Sequence, residues 1–411
     1  MNRDITRWQT PSGLMVVFER ARGLKTLSMQ CWVDRGSMFE APGQSGAAHF
    51  LEHMLFTASH KKNNQQMMQT LENVGGYANA FTTFDHTAYE AVVPITHSKK
   101  AFEWLQELVL EPVFDEDQIE KEKKIILEEA TDAQDDPDVV FQEAFWAKAY
   151  GGQTVGRPIL GTRTDIKGMS GEVLKSFYNA HYHGQSMTLS ICGDLTQAEL
   201  EKYLDTYVDP CVRTEGVLDR PVFQSSFTAT PFDHQFGVQS RRLACLYPIV
   251  SYTHQHLPEI ELLAACLGGG TYAYLYETFR RKKAWVSHVS VYLQNWHTGG
   301  HLCIEAVPYK EHFDAMKDEI QKNFSPQDVL QDQVIAWAKK DIEKEIIFSL
   351  DSTWGRAKLN AYFQVLMGDV HKQNTYYQTL RAIDRKALFD AWETYMHQRP
   401  AMGLWRAQGD V

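Results

Sequence analysis

Within the run His49-Phe50-Leu51-Glu52-His53, two imidazoles and a carboxylate fall inside about one helical turn. On a helix, positions i, i+3 and i+4 share a face, so residues 49, 52 and 53 point together and Phe56 extends the same side. Two imidazoles one turn apart can bind one zinc ion, and a carboxylate beside them can take the proton of an attacking water. The same spacing also fits two hydrogen-bonded histidines without a metal.

A catalytic zinc ion needs three protein ligands and one open position, so a third ligand is expected from another element. The segment Asp115–Asp132 reads as a helix with a carboxylate-rich flank and an apolar stripe of Ile119, Ile126, Leu127 and Ala130. At about 100° per residue, Glu128 lies opposite that stripe and Glu129 on its edge. Helical geometry therefore selects Glu129 as the third ligand. Glu122, two turns earlier on the same flank, becomes a supporting carboxylate behind the ligands. Glu116, Glu120 and Glu128 fit a solvated acidic face.

The elements that must position these groups follow from periodicity. Strands are expected at Leu14–Phe18 and Leu27–Val33, then a loop from Gly36 to Gly46 and a helix to Thr57. A helix at Asn64–Val74 ends at Gly75-Gly76, and Tyr77–Pro94 alternates as strands. Helices follow near 98–110, 115–132, 138–148 and 170–180, with a strand at Thr188–Cys192 and a helix at Gln197–Tyr207. A polar stretch near 208–235 reads as a linker. The second half repeats the order, with strands at Leu243–Pro248, 287–293 and 301–307 and a helix at Glu259–Leu267. Another helix is expected after Gly268–Gly270, and more at 328–350, 353–366 and 385–396. Glu90-Ala91-Val92-Val93-Pro94 has a counterpart in Glu305-Ala306-Val307-Pro308, a faint internal repeat. The expected fold is α+β: two similar domains, each a mainly antiparallel sheet packed with helices. Their expected bounds are 1–212 and 233–411, joined by a linker at 213–232.

With 411 residues, 44% apolar and 23% charged, the chain has the composition of a globular protein. Its net charge of −11 argues against a nucleic-acid partner. No run reaches the roughly 20 apolar residues that span a bilayer, so no membrane partner is expected. The six cysteines are scattered, without a CxxC pair, and read as reduced thiols. The first residues show no signal-peptide core, so a cytoplasmic location is expected, or a periplasmic one if a signal was trimmed.

The HxxEH order is that of the inverzincins. Gly36-Ser37-Met38-Phe39-Glu40 through Ser45-Gly46-Ala47-Ala48-His49-Phe50-Leu51-Glu52-His53-Met54 resembles the signature of the pitrilysin–insulinase–mitochondrial processing peptidase family. The spacing to Glu129 and the position of Glu122 are similar to that family's. So are Gly75-Gly76-Tyr77-Ala78-Asn79-Ala80-Phe81-Thr82 and Gly156-Arg157-Pro158-Ile159-Leu160-Gly161-Thr162. The likeness extends over nearly the whole chain. It implies a zinc endopeptidase with the duplicated processing-peptidase fold. It also implies a chamber closed on a peptide, which pairs as an added strand near Asn79, Ala80 and Phe81.

The resemblance further implies an Arg and a Tyr in the C-terminal domain that hold the substrate carbonyl. Arg280 fits the Arg, but Ser287 stands at the Tyr position, with His288 and Tyr292 out of register. Losing one such donor costs on the order of 10²–10³ in rate. A dimer is therefore expected, with a sister subunit carrying the Arg/Tyr pair, or a homodimer. Two other readings compete: a structural or peptide-binding subunit without turnover, and an unrelated zinc hydrolase of small molecules.

Overall fold

The computed structural model describes residues 3–217, 219–220, 232–236, 241–322 and 324–407. The chain forms two compact units that are not contiguous in sequence. One takes Met1–Gln134, Arg157–Pro221 and Phe348–Val370; the other takes Asp135–Gly156, Val222–Ile347 and His371–Val411. A contiguous division at 213–232 therefore misplaces two segments, 135–156 and 348–370. Most of that linker lies outside the described residues, and its end is already strand.

The first unit is built on six strands: β1 (Ile5–Gln9), β2 (Met15–Arg20), β3 (Thr26–Val33), β4 (Tyr77–Thr82), β5 (Thr87–Pro94) and β6 (Met187–Gly193). Their order is β1-β2-β6-β3-β5-β4, with β2 and β6 parallel and the other pairs antiparallel. Alternation along β3 sends Leu27, Met29, Cys31 and Val33 to one face, where they share a core with Phe50, Leu51 and Met54. The other face is polar, which usually marks a solvated sheet surface. Here it is buried: Ser28, Gln30, Glu90 and Ser190 are all at most 2% exposed. Helix Thr353–Val365, from near the far end of the chain, covers it. Ser190 Oγ donates to the Ala357 carbonyl at 2.7 Å, and Trp354 Nε1 donates to Glu90 Oε2 at 3.0 Å.

The second unit has five strands: β7 (Phe232–Phe236), β8 (Arg242–Ile249), β9 (Val286–Trp296), β10 (Gly299–Pro308) and β11 (Ala401–Ala407). Their order, β7-β11-β8-β10-β9, repeats β2-β6-β3-β5-β4 strand for strand, including the single parallel pair. Leu243, Cys245, Leu302 and Ile304 pack with Ile260, Leu263, Met316 and Trp392 on one face. Helix Pro137–Tyr150 serves the other, through Gln142 Nε2 to the Tyr292 hydroxyl at 3.1 Å and Phe141 against Trp405. The repeat read from Glu90–Pro94 and Glu305–Pro308 is thus a duplication of whole sheets, with Glu90 and Glu305 both on the strand next to the edge.

Several local expectations differ from the structure. The helix expected over 328–350 breaks into Pro326–Val329 and Asp332–Ser349. The segment after Gly268–Gly270 closes into a wide π-type turn at Tyr276–Lys282. Strands β1 and β11 and helix Lys372–Ala382 carry weak periodicity and go unread in the sequence. No helix among the described residues is long and apolar enough to cross a membrane.

Candidate metal centre

The motif helix, Ala47–Thr57, starts at Gly46, whose φ of 92° is left-handed. No side chain within its own first turn caps it. Glu40 does so from the preceding loop: its two carboxylate oxygens accept from Gly46 N at 2.9 Å and Ala48 N at 3.0 Å. In its ionised form Glu40 also complements the positive end of the helix dipole. Burial pushes Glu40 up to about 8, against the lowering effect of those two backbone bonds. Gly46 lies back to back with Gly161: a Cβ on Gly46 would stand 2.5 Å from the Leu160 carbonyl oxygen. The loop ending at Gly161 thus clamps the start of the helix.

Once started, the helix buries Ala47, Ala48, Phe50, Leu51, Met54 and Leu55. His49, Glu52, His53 and Phe56 remain on the partly open side. Helix Glu116–Asp135 buries Ile119, Ile126 and Ala130, leaves Glu128 exposed, and turns Glu122 and Glu129 toward the histidines.

Ligand atoms of His49, His53 and Glu129 all lie within 4.8 Å of one another. Glu129 Oε2 is 3.5 Å from His53 Nε2 and 3.9 Å from His49 Nε2. Bonds of about 2.0–2.2 Å to a tetrahedral zinc ion require ligand separations of roughly 3.3 Å, so the group fits that ion with small adjustments. His53 Nδ1 faces Glu122 Oε2 at 3.3 Å, which orients its Nε2 toward Glu129. His49 Nδ1 is buried and has no hydrogen-bond partner among the described residues. Two imidazoles and a carboxylate with an open side match the donor set of a catalytic zinc site.

The electrostatics separate the two histidines. Burial, helped by the nearby His53 charge, lowers His49 to about 3, so it is neutral with a lone pair free. Burial also pulls on His53, but the Glu122 hydrogen bond and the charges of Glu129 and Glu52 outweigh it, and the net shift is upward. Glu52 is raised, mainly by burial; its bond from Thr82 and the His53 charge offset part of that, and Glu129 adds to it. Thr82 Oγ1 donates to Glu52 Oε2 at 2.5 Å. Thr82 and Glu40 both lie in segments that resemble the family, but the sequence assigns neither a role. Period-two alternation would have found Thr82, which shares the metal-side face of β4 with Ala78 and Ala80.

Strand β4 lies at the edge of its sheet, paired on one side only, to β5. Asn79 is exposed, and Ala80 and Phe81 are half-buried. Arg280 belongs to the other unit. It is exposed there and donates to the carbonyls of Val286 and Ser287. Ser287 Oγ donates to the Val307 carbonyl at 3.1 Å, and the Tyr292 hydroxyl to Glu305 Oε1 at 2.7 Å.

Fold and site together describe a duplicated α+β protein in which two histidines and one carboxylate could hold a metal ion. Residues 15–163 match the model of insulinase, peptidase family M16, and residues 168–325 match that of the peptidase M16 inactive domain. The chain belongs to that family. It is 24% identical over 369 residues to an uncharacterized zinc protease of Bacillus subtilis, covering 89% of each chain. It is also 30% identical over 225 residues to a probable mitochondrial-processing peptidase subunit beta of Arabidopsis thaliana, covering 54% of this chain and 42% of that one. A protease from Helicobacter pylori shares the fold, with a TM-score of 0.88, 18% identity and coverage of 98% and 100% of the two chains. A peptidase M16 inactive domain from Pseudomonas fluorescens does so too, with a TM-score of 0.89, 16% identity and 99% of each chain covered.

Proposed function

We propose that the chain is a zinc-dependent endopeptidase subunit acting on peptides or unfolded segments. The observation that carries this reading is the convergence of His49, His53 and Glu129 beside a buried, raised Glu52. A zinc ion held by those three residues would polarise the scissile carbonyl and make water a competent nucleophile near neutral pH. Glu52 takes the proton of the attacking water and passes it to the leaving amine. Thr82 holds one Glu52 oxygen and leaves the other for the proton. Its raised pKa brings the carboxylate closer to the working pH, which favours both transfers. Glu122 keeps His53 in the tautomer that presents Nε2. The substrate backbone pairs with the open edge of β4 at Asn79 and Ala80, with Phe81 beside it, and is held extended for attack.

We further propose that the chain works in a dimer, with a sister subunit supplying the Arg/Tyr pair for the substrate oxyanion. Two points favour this: by the family resemblance Ser287 stands at the Tyr position, and Arg280 donates to the carbonyls of Val286 and Ser287. One relative is itself named as a subunit. Six free cysteines, five of them buried, support a cytoplasmic location as our proposal, with a periplasmic one as the alternative.

The test is cleavage of a quenched-fluorescent peptide pool by the zinc-loaded chain, alone and with candidate sister chains, using Glu52→Gln as control. Cleavage that disappears in the control supports the reading. A control as active as the wild type removes Glu52 from its role. Bound zinc with no cleavage under any pairing favours a non-catalytic, peptide-binding subunit.

A further inference from the structure

We propose that the first unit carries a polyphosphate-binding site at the end of β2, separate from the metal centre. A cavity of about 540 Å³ opens there. Four guanidinium groups line it: Arg3 ahead of β1, Arg20 at the end of β2, Arg22 just beyond, and Arg356 from helix Thr353–Val365.

What the cavity can take depends on which donors are already engaged. Glu19, 1% exposed, is held by Arg3 through both of its oxygens, by Arg356 Nη1 at 3.0 Å and by Asn360 Nδ2 at 3.0 Å. One buried carboxylate therefore locks two guanidinium groups in place and neutralises only one of them. Arg356 Nη2 has no acceptor among the described residues; Nε and Nη1 go to the Leu350 carbonyl and Glu19. Arg20 reaches Asp194 only through Nε, at 3.5 Å. Arg22 is exposed and makes no hydrogen bond or ion pair among the described residues. Exposed Asp4 is the other carboxylate of the lining. The lining is thus net cationic in a chain whose overall charge is −11.

Guanidinium forks match phosphate oxygens two at a time and carry charge that burial does not remove. The free donors come from three places around a space wider than one phosphate. A space of that volume has room for a chain of phosphates to engage more than one of them. Leu24 and Leu350 add an apolar wall against which a nucleoside base could lie. Inorganic triphosphate and a nucleoside triphosphate share the chemistry the arginines recognise.

The experiment is calorimetric titration of the zinc-loaded chain with inorganic triphosphate and, separately, with ATP, checking zinc content before and after. Saturable one-to-one binding is expected, weakening as salt is raised. Arg20→Ala and Arg22→Ala should each weaken it by about tenfold or more, the value of a charge-assisted hydrogen bond. Arg7→Ala, on β1 and paired with Asp369 outside the cavity, should leave it unchanged. Tighter binding of ATP assigns the apolar wall to a base, and equal binding assigns the site to the phosphate chain; both support the proposal. No saturable binding of either compound overturns it, as does wild-type affinity in the Arg20→Ala/Arg22→Ala variant. Both side chains lie outside the Glu19 cluster, so the unliganded unfolding midpoint should hold. If it falls in the double variant, Arg22→Ala alone decides, because that side chain bonds nothing among the described residues.

Discussion

Glu52 and the three candidate ligands sit within two helices, and Glu52 and His53 answer to different neighbours. Glu52 is buried and bonded to Thr82, so Glu52→Gln keeps the shape of the site and removes the proton acceptor. It should bind zinc as the wild type does and lose about 10²–10⁴ in kcat, read by metal analysis and peptide cleavage. Glu122 acts through His53. Glu122→Gln should weaken zinc affinity by about 10–100-fold, whereas Glu128→Gln, on the exposed side, should not change it. His53 carries a raised pKa without metal, so zinc must displace its proton across the range below that pKa. Affinity should rise with pH through that range and level off above it. Calorimetry in buffers of different ionisation enthalpy should show proton release on binding near neutral pH, and none at high pH.

At the scale of elements, helix Thr353–Val365 holds the first sheet through polar contacts, with Glu19 at the centre. Burial alone would raise the Glu19 pKa. The Arg3 and Asn360 hydrogen bonds and the Arg3 and Arg356 charges outweigh it, and the net shift is downward. A carboxylate lowered on folding stabilises the fold fully above its unfolded pKa. That contribution is lost as pH falls from there through the lowered folded value. Denaturation midpoints should therefore drop over that acidic window in the wild type. Glu19→Ala strands two half-buried guanidinium groups and should cost about 3–5 kcal/mol at neutral pH. In the variant, the part of the acid dependence due to Glu19 should disappear. Glu40 does for the motif helix what Glu19 does for the sheet: it joins an element to a segment that its own sequence does not specify.

The whole molecule is two copies of one strand order, each completed by a helix from the other half of the sequence. A fragment ending near residue 220 contains every candidate ligand but lacks residues 348–370. Its polar sheet face would lose Trp354, Arg356 and Asn360, leaving Glu90 without its Trp354 donor and Glu19 with Arg3 alone. The fragment should fail to give a cooperative unfolding transition. Co-expression with a piece carrying 348–370 should restore one. A fragment that folds and binds zinc unaided would show that this helix is dispensable.

The metal motif was legible in the sequence because its information is local. His49, Glu52 and His53 lie within one turn, and the choice of Glu129 over Glu128 follows from the angle each makes with an apolar stripe on its own helix. Most of the strands, though not β1 and β11, and the duplication were legible for a similar reason: alternation and a recurring Glu-Ala-Val segment need no knowledge of distant partners. Three features lay beyond its reach. Alternation along β3 fits a half-solvated strand as well as one covered by a polar helix, and only the return of residues 353–365 decides between them. Glu40 caps the motif helix from the preceding loop, a contact that leaves no periodic trace, and alternation along β4 gives the face of Thr82 but not its bond to Glu52. The cavity of arginines brings residues 3, 20 and 22 together with residue 356, and one buried carboxylate, Glu19, ties Arg3 to Arg356. Helical angle and strand period are properties of a few consecutive residues, so sequence determines them. Which distant polar group meets a buried charge depends on how the elements pack, and only the tertiary structure decides that.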